Sequence, residues 1–178
     1  SNYVALPASE AFRIEYWALE EAKIRRQPAE KELSRRIVLV VGGASGIGRE
    51  VVLMAAERGA HVVVADRESA AAEAVAAEAQ AIGGRECAVA TKIDIRDRAA
   101  IKSALRATLA AYGGLDILVN TAALFPSSPD GVIADAQWAL TLEVNVTANF
   151  LLADEAAKLL AAQGIDASMV LTSSANAV

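Results

Sequence analysis

Residues 38–50 read Val-Leu-Val-Val-Gly-Gly-Ala-Ser-Gly-Ile-Gly-Arg-Glu, and no other stretch narrows the possible folds so far. A run of apolar β-formers enters a glycine-rich turn, and the turn opens onto a helix-compatible segment. Gly42, Gly46 and Gly48 let the backbone turn tightly and approach a dinucleotide pyrophosphate, whose charge a helix N-terminus accepts. Their spacing is Gly-x-x-x-Gly-x-Gly. A phosphate loop of the nucleotide-hydrolase kind is excluded, because Arg49 and Glu50 stand where Lys and Ser or Thr are required. Taken alone, the cluster also suits a structural turn between strand and helix.

The rest of the chain argues for more than a turn. Short apolar segments at 37–41, 61–65, 87–91, 116–119 and 168–172 read as strands. Helical patterns at 46–58, 68–81, 98–111 and 135–162 separate them. Strands alternating with helices predict parallel crossover units, an α/β architecture with ligands beyond the C-terminal strand ends. The segment 126–131, Pro-Ser-Ser-Pro-Asp-Gly, reads as a loop before the long helix.

Asp66 closes the second apolar segment, eighteen positions after Gly48. A carboxylate there accepts hydrogen bonds from an adenosine ribose, which favours NAD. Arg67, next to it, has a fork that suits the extra phosphate of NADP, so NADP remains possible. Neither Ala44 nor Ser45 adds a second positive charge within the loop.

The 178 residues fit a domain with a sizeable core, and 54% are hydrophobic. The formal charge of −5, with basic residues dispersed, argues against a nucleic-acid partner. No apolar run reaches the length of a membrane span and no secretion pattern opens the chain, so the expected location is cytoplasmic. Cys87 and His61 are the single cysteine and histidine, which rules out an internal disulfide or a Cys/His zinc cluster, and no metal is expected. Both lie in apolar segments and read as structural.

Before the glycine loop, Ser9 is placed to cap a helix running to about residue 26, with Phe12, Tyr16 and Leu19 on one side. Residues 27–34 read as a linker. The expected division is a helix and linker over 1–36 and a partial dinucleotide-binding domain over 37–178.

With several motifs in this order, the chain from about Ile37 onward resembles the short-chain dehydrogenase/reductase family. The resemblance implies a Rossmann-type doubly wound parallel sheet of about five strands, with the later family strands missing. It implies cofactor contacts from Gly42, Ser45, Gly46, Ile47, Gly48, Asp66 and Arg67, with Asp94 and Ile95 lining the adenine pocket. Asn120 and Ala122, in Asn120-Thr121-Ala122-Ala123, are similar to the family's Asn-Asn-Ala-Gly segment. Asn145 matches the helix asparagine that supports a proton-relay water, and Ser174 the serine that bonds the reacting oxygen. The implied activity is NAD-dependent hydride transfer involving a small alcohol, aldehyde or ketone.

There are departures. Val41 stands where a threonine commonly ties the glycine loop to the segment after the fourth strand, and Thr121 and Ala123 replace Asn and Gly. The family's Tyr and the Lys four residues after it do not follow Ser174. The tyrosines are Tyr3, Tyr16 and Tyr112, none with Lys four positions on. Proton transfer needs such a group, so the chain alone is expected to be catalytically incomplete, whether as a nucleotide-binding portion of an enzyme or as a non-catalytic binding module. The stretch from Glu10 to Lys23 is similar to the connector in bifunctional proteins that join a rhamnulose-phosphate-type aldolase to a short-chain dehydrogenase. That likeness implies an upstream aldolase and a lactaldehyde-like substrate. The family resemblance also implies a homo-oligomer, for which the long helix expected over 135–162 offers a surface.

Overall fold

A computed structural model describes residues 7–15, 18–26, 29–126 and 131–174, with the side chains of 12–20 outside the description. The chain divides into two compact units, residues 1–30 and 31–178. The first holds α1 (Ala8–Glu15) and α2 (Ala18–Arg26). Ser9 is not the cap expected of it. The helix starts one residue earlier, and the Pro7 carbonyl accepts the N–H groups of Glu10 and Ala11 at 2.9 and 3.0 Å. The expected stripe of Phe12, Tyr16 and Leu19 lies outside the described side chains, as does the centre of the 126–131 loop outside the described residues.

The second unit alternates strand and helix: β1 (Ile37–Val41), α3 (Gly46–Glu57), β2 (His61–Asp66), α4 (Ser69–Gly83), β3 (Ala88–Lys92), α5 (Arg98–Tyr112) and β4 (Ile117–Asn120). Then come α6 (Asp135–Leu142), a π-helical turn at Glu143–Thr147, α7 (Ala148–Gln163) and β5 (Ser168–Leu171). The strands form one sheet in the order β3-β2-β1-β4-β5, with every pairing parallel. This is the α/β, Rossmann-like fold that the sequence implies.

The hydrophobic pattern explains the layering. In β1, Val38 and Val40 pack into a core with Val52 of α3 and Val75 and Ala76 of α4. The alternate residues Leu39 and Val41 enter a second core with Ile101 and Leu105 of α5 and Leu152 of α7. Successive strand residues face opposite ways, and both faces are covered, so the strands carry unbroken apolar runs. Cys87 lies just before β3, where its buried thiol donates to the Ala79 carbonyl at 3.3 Å and burial raises its pKa. His61 stacks on Tyr112 with ring centroids 4.9 Å apart.

Element ends depart from expectation where tertiary contacts intervene. Asp116 precedes β4 instead of opening it, and its carboxylate accepts from Ile37 N at 2.8 Å and from Arg36 at 2.9 Å. The single helix expected over 135–162 is two helices with the π turn between them. Near the far end of α7, the Gln163 amide pairs with both Leu115 backbone groups, at 2.8 and 2.9 Å, and so ties the helix to the chain entering β4.

Candidate functional site

The strand order reverses direction at β1, with β2 on one side and β4 on the other. Crevices at such switch points, beyond the C-terminal strand ends, are where open α/β sheets bind ligands. A cleft of about 530 Å3 lies there, lined by the loop after β1, the ends of β2 and β3, and residues 121–125 after β4.

The loop after β1 owes its shape to missing side chains. A Cβ on Gly48 would lie 2.1 Å from the Gly42 carbonyl oxygen, and one on Gly42, whose φ is +78°, would meet Ala122 N at 2.7 Å. Gly46 differs: its φ of +50° favours glycine, and nothing stands within 4 Å of its open side. Ser45 is the N-cap of α3 in extended conformation, and its side chain makes no capping bond. The first N–H groups of α3 are therefore available to an anion in the cleft. This cradle of close-packed glycines beside an open helix N-terminus fits a dinucleotide pyrophosphate.

On the β2 side, Asp66 holds the rim. Its carboxylate accepts from Ala44 N and from Glu68 N, each at 3.1 Å. Arg67 lines the cleft and lies 3.4 Å from the Glu68 carboxylate. Asp94 binds Arg96 through both oxygens, at 3.0 and 2.6 Å, and that hydrogen bonding holds its carboxyl below the usual range. Ile95 is buried in the core beneath, although it reaches the cleft wall.

On the β4 side the expected residues separate. Ala122 lines the cleft. Asn120 is 1% exposed and lies behind the wall, accepting from Ala122 N at 3.2 Å and donating to Asn149 at 2.7 Å. Asn145 is also behind it: its side chain pairs with both backbone groups of Leu124, each at 2.8 Å. Ser174 is exposed and does not line the cleft. The structure thus gathers Gly42, Ser45, Gly46, Ile47, Gly48, Asp66, Arg67, Asp94, Ile95 and Ala122 around one cavity, and sets Asn120, Asn145 and Ser174 apart from its surface.

Tyr112 does not take the place of the missing tyrosine. It ends α5, lies outside the cleft, and donates to the Glu86 carbonyl at 3.0 Å. Burial, with Cys87 and Glu86 nearby, pushes its hydroxyl up to about 12, far from a useful general base near neutrality.

Thr121 was not among the residues the sequence picked out for the site. Its hydroxyl lies 3.0 Å from the Val41 carbonyl and 3.2 Å from that of Gly42, and so fastens the glycine loop to β4. The signal lay in the two departures read together: the threonine absent at 41 has a counterpart at 121. Arg96 was also missed, since only its pairing with Asp94 brings it to the wall.

Fold and cleft together define a dinucleotide-binding α/β domain of the Rossmann type. Residues 36–178 match the short chain dehydrogenase family, and the chain belongs to it. It is 39% identical over 177 residues to YuxG, an uncharacterized oxidoreductase of Bacillus subtilis, a match over 99% of this chain and 26% of that protein. Similarity to the D-threitol dehydrogenase of Mycolicibacterium smegmatis is 32% over 146 residues, 82% of this chain and 55% of the relative. Among solved structures, a short-chain type dehydrogenase/reductase from Mycobacterium marinum superposes with a TM-score of 0.74 at 32% identity, over 80% of this chain and 57% of that one. The chain therefore spans from about a quarter to under three fifths of these relatives' lengths. Among the described residues, no helix is long and apolar enough to cross a membrane.

Proposed function

We propose that residues 31–178 are the cofactor-binding part of an NAD-dependent short-chain dehydrogenase/reductase acting on a small alcohol, aldehyde or ketone. The observation that carries this reading is Asp66 at the rim of the switch-point cleft, bonded to Ala44 N of the glycine loop. NAD, when bound, accepts or supplies the hydride. Backbone N–H groups at the start of α3 hold the pyrophosphate, and the remaining lone pairs of Asp66 accept the ribose hydroxyls. A phosphate on that ribose would meet the Asp66 charge, while Arg67 already has Glu68 beside it. NAD is accordingly preferred over NADP.

Ser174 orients the reacting oxygen on this reading, and Asn145 holds the Leu124 stretch of the wall. Residues 1–178 contain no Tyr with Lys four positions on. By themselves they bind cofactor without turning substrate over. The second reading, a binding or regulatory module without catalysis, is favoured by the placement of Ser174 and Asn145 away from the cleft surface. The likeness of residues 10–23 to an aldolase–dehydrogenase connector supports an upstream aldolase and a lactaldehyde-like substrate. The match to YuxG, which runs through that segment in a much longer protein, agrees with a multi-part parent. A homo-oligomer through α6 and α7 belongs to the same proposal.

Parallel calorimetric titrations of the 178-residue chain with NAD and NADP test it, alongside a turnover assay of the full-length gene product. Tighter binding of NAD and turnover by the longer protein only are expected. Tighter binding of NADP overturns the cofactor preference, and a folded chain that binds neither overturns the reading as a whole. A full-length protein that binds NAD yet oxidises no alcohol favours the module.

A further inference from the structure

Behind the β4 wall two carboxamides, those of Asn120 and Asn149, run in series from the backbone after β4 to the Asn145 backbone carbonyl. Asn149, in the first turn of α7, donates from Nδ2 to the Asn145 carbonyl at 2.9 Å. Its Oδ1 accepts from Asn120 Nδ2 at 2.7 Å, and Asn120 Oδ1 accepts from Ala122 N at 3.2 Å. Asn145 in turn grips Leu124 through both ends of its own amide. The backbone groups at the two ends fix the orientation of the Asn120 and Asn149 amides, as the two Leu124 groups fix that of Asn145. Ala122 N–H only donates and the Asn145 carbonyl only accepts, so flipping any member sets donor against donor or acceptor against acceptor.

Position 149 therefore needs a short side chain that both donates and accepts, which a carboxamide supplies and an ionised carboxylate, an acceptor only, does not. The link ends in the π turn, where Asn149 bonds back to the Asn145 carbonyl four residues earlier.

We infer that Asn149 is a positioning residue for the cofactor cleft: it couples the π turn to the end of β4 and sets where Ala122 and Leu124 stand. This rests on the reading of the cleft as a dinucleotide site. With Asp66 taking the adenosine ribose beside β2, a dinucleotide lying across the switch point brings its nicotinamide half to the β4 side. Asn149 acts on that half more strongly than on the adenosine half, which Asp66 holds from β2.

The test compares wild type, Asn149→Asp and Asn149→Leu in the 178-residue chain, titrated with NAD and with ADP. Amide hydrogen exchange at Ala122 and Leu124 is followed by NMR without ligand. Both substitutions are expected to weaken NAD roughly tenfold, the scale of a lost hydrogen bond with its partners left unsatisfied. ADP affinity should stay within about twofold and exchange at Ala122 and Leu124 should quicken, while α4 amides keep their protection. Equal losses for NAD and ADP, or no loss for either, overturn the inference. If Asn149→Leu does not fold, Asn149→Asp carries the test, because it keeps the size and the acceptor. If the wild type binds neither ligand, the dinucleotide reading fails on its own, and unchanged exchange in Asn149→Asp then overturns the coupling separately.

Discussion

Val41 has no donor with which to fasten the glycine loop, and Thr121 supplies one from across the β1–β4 junction. One hydroxyl proton is shared between the Val41 and Gly42 carbonyls at 3.0 and 3.2 Å. Thr121→Val keeps the shape and removes that proton. It should cost about 1–2 kcal/mol in denaturant unfolding and weaken NAD binding, whereas Thr121→Ser should restore both. The glycines behave differently from one another. Gly48→Ala forces a Cβ against the Gly42 carbonyl, backbone that has nowhere to move, and should abolish NAD binding in calorimetry. Gly46→Ala meets no atom and carries only the strain of its positive φ, about 1–2 kcal/mol of stability. Glycine spacing was legible in the sequence because it is local. The Thr121 tie was not, because it depends on strands 80 positions apart pairing in register.

At the scale of elements, alternating Val-rich segments and amphipathic stretches announced the parallel sheet and its two helical layers. The π turn escaped notice because no Pro or Gly marks residues 135–162. Its residue Asn145 is bound to Leu124, 21 positions earlier, a contact that helical periodicity does not encode. The α5–α7 junction was equally silent. Arg98 bonds Asp154 at 2.5 Å and also Glu155, while Lys158 reaches both carboxylates at 2.7 and 3.0 Å and Lys102 lies 3.8 Å from Glu155. Lys158 and Arg98 hold Asp154 below its usual range, and Arg98 and Lys158 do the same for Glu155. Because both pKa values are depressed in the folded state, the stabilisation is present above the unfolded values of about 4 and is lost as pH falls through the folded ones. Melting temperature should therefore drop below about pH 4, and Glu155→Gln should flatten part of that drop while lowering stability at neutral pH.

Across the whole sheet, β5 is the exception among the strands. Met169, Val170 and Leu171 are 42%, 51% and 43% exposed, and β5 pairs only with β4 among the described residues. Trp138, Val146 and Phe150 leave further apolar surface uncovered. An apolar edge strand is a template for intermolecular pairing. Sedimentation should show concentration-dependent association of the 178-residue chain, and Val170→Lys should suppress it without altering NAD affinity.

The tie between Thr121 and the Val41 carbonyl also has a meaning in time. A ribosome that has released β1, α3 and β2 has exposed the glycines and Asp66, but not the residue that closes the loop, which comes 80 positions after Val41. Until β4 emerges and slots in beside β1, the nascent chain has half a receptor. Nucleotide capture by such a chain should therefore begin only once β4 has emerged.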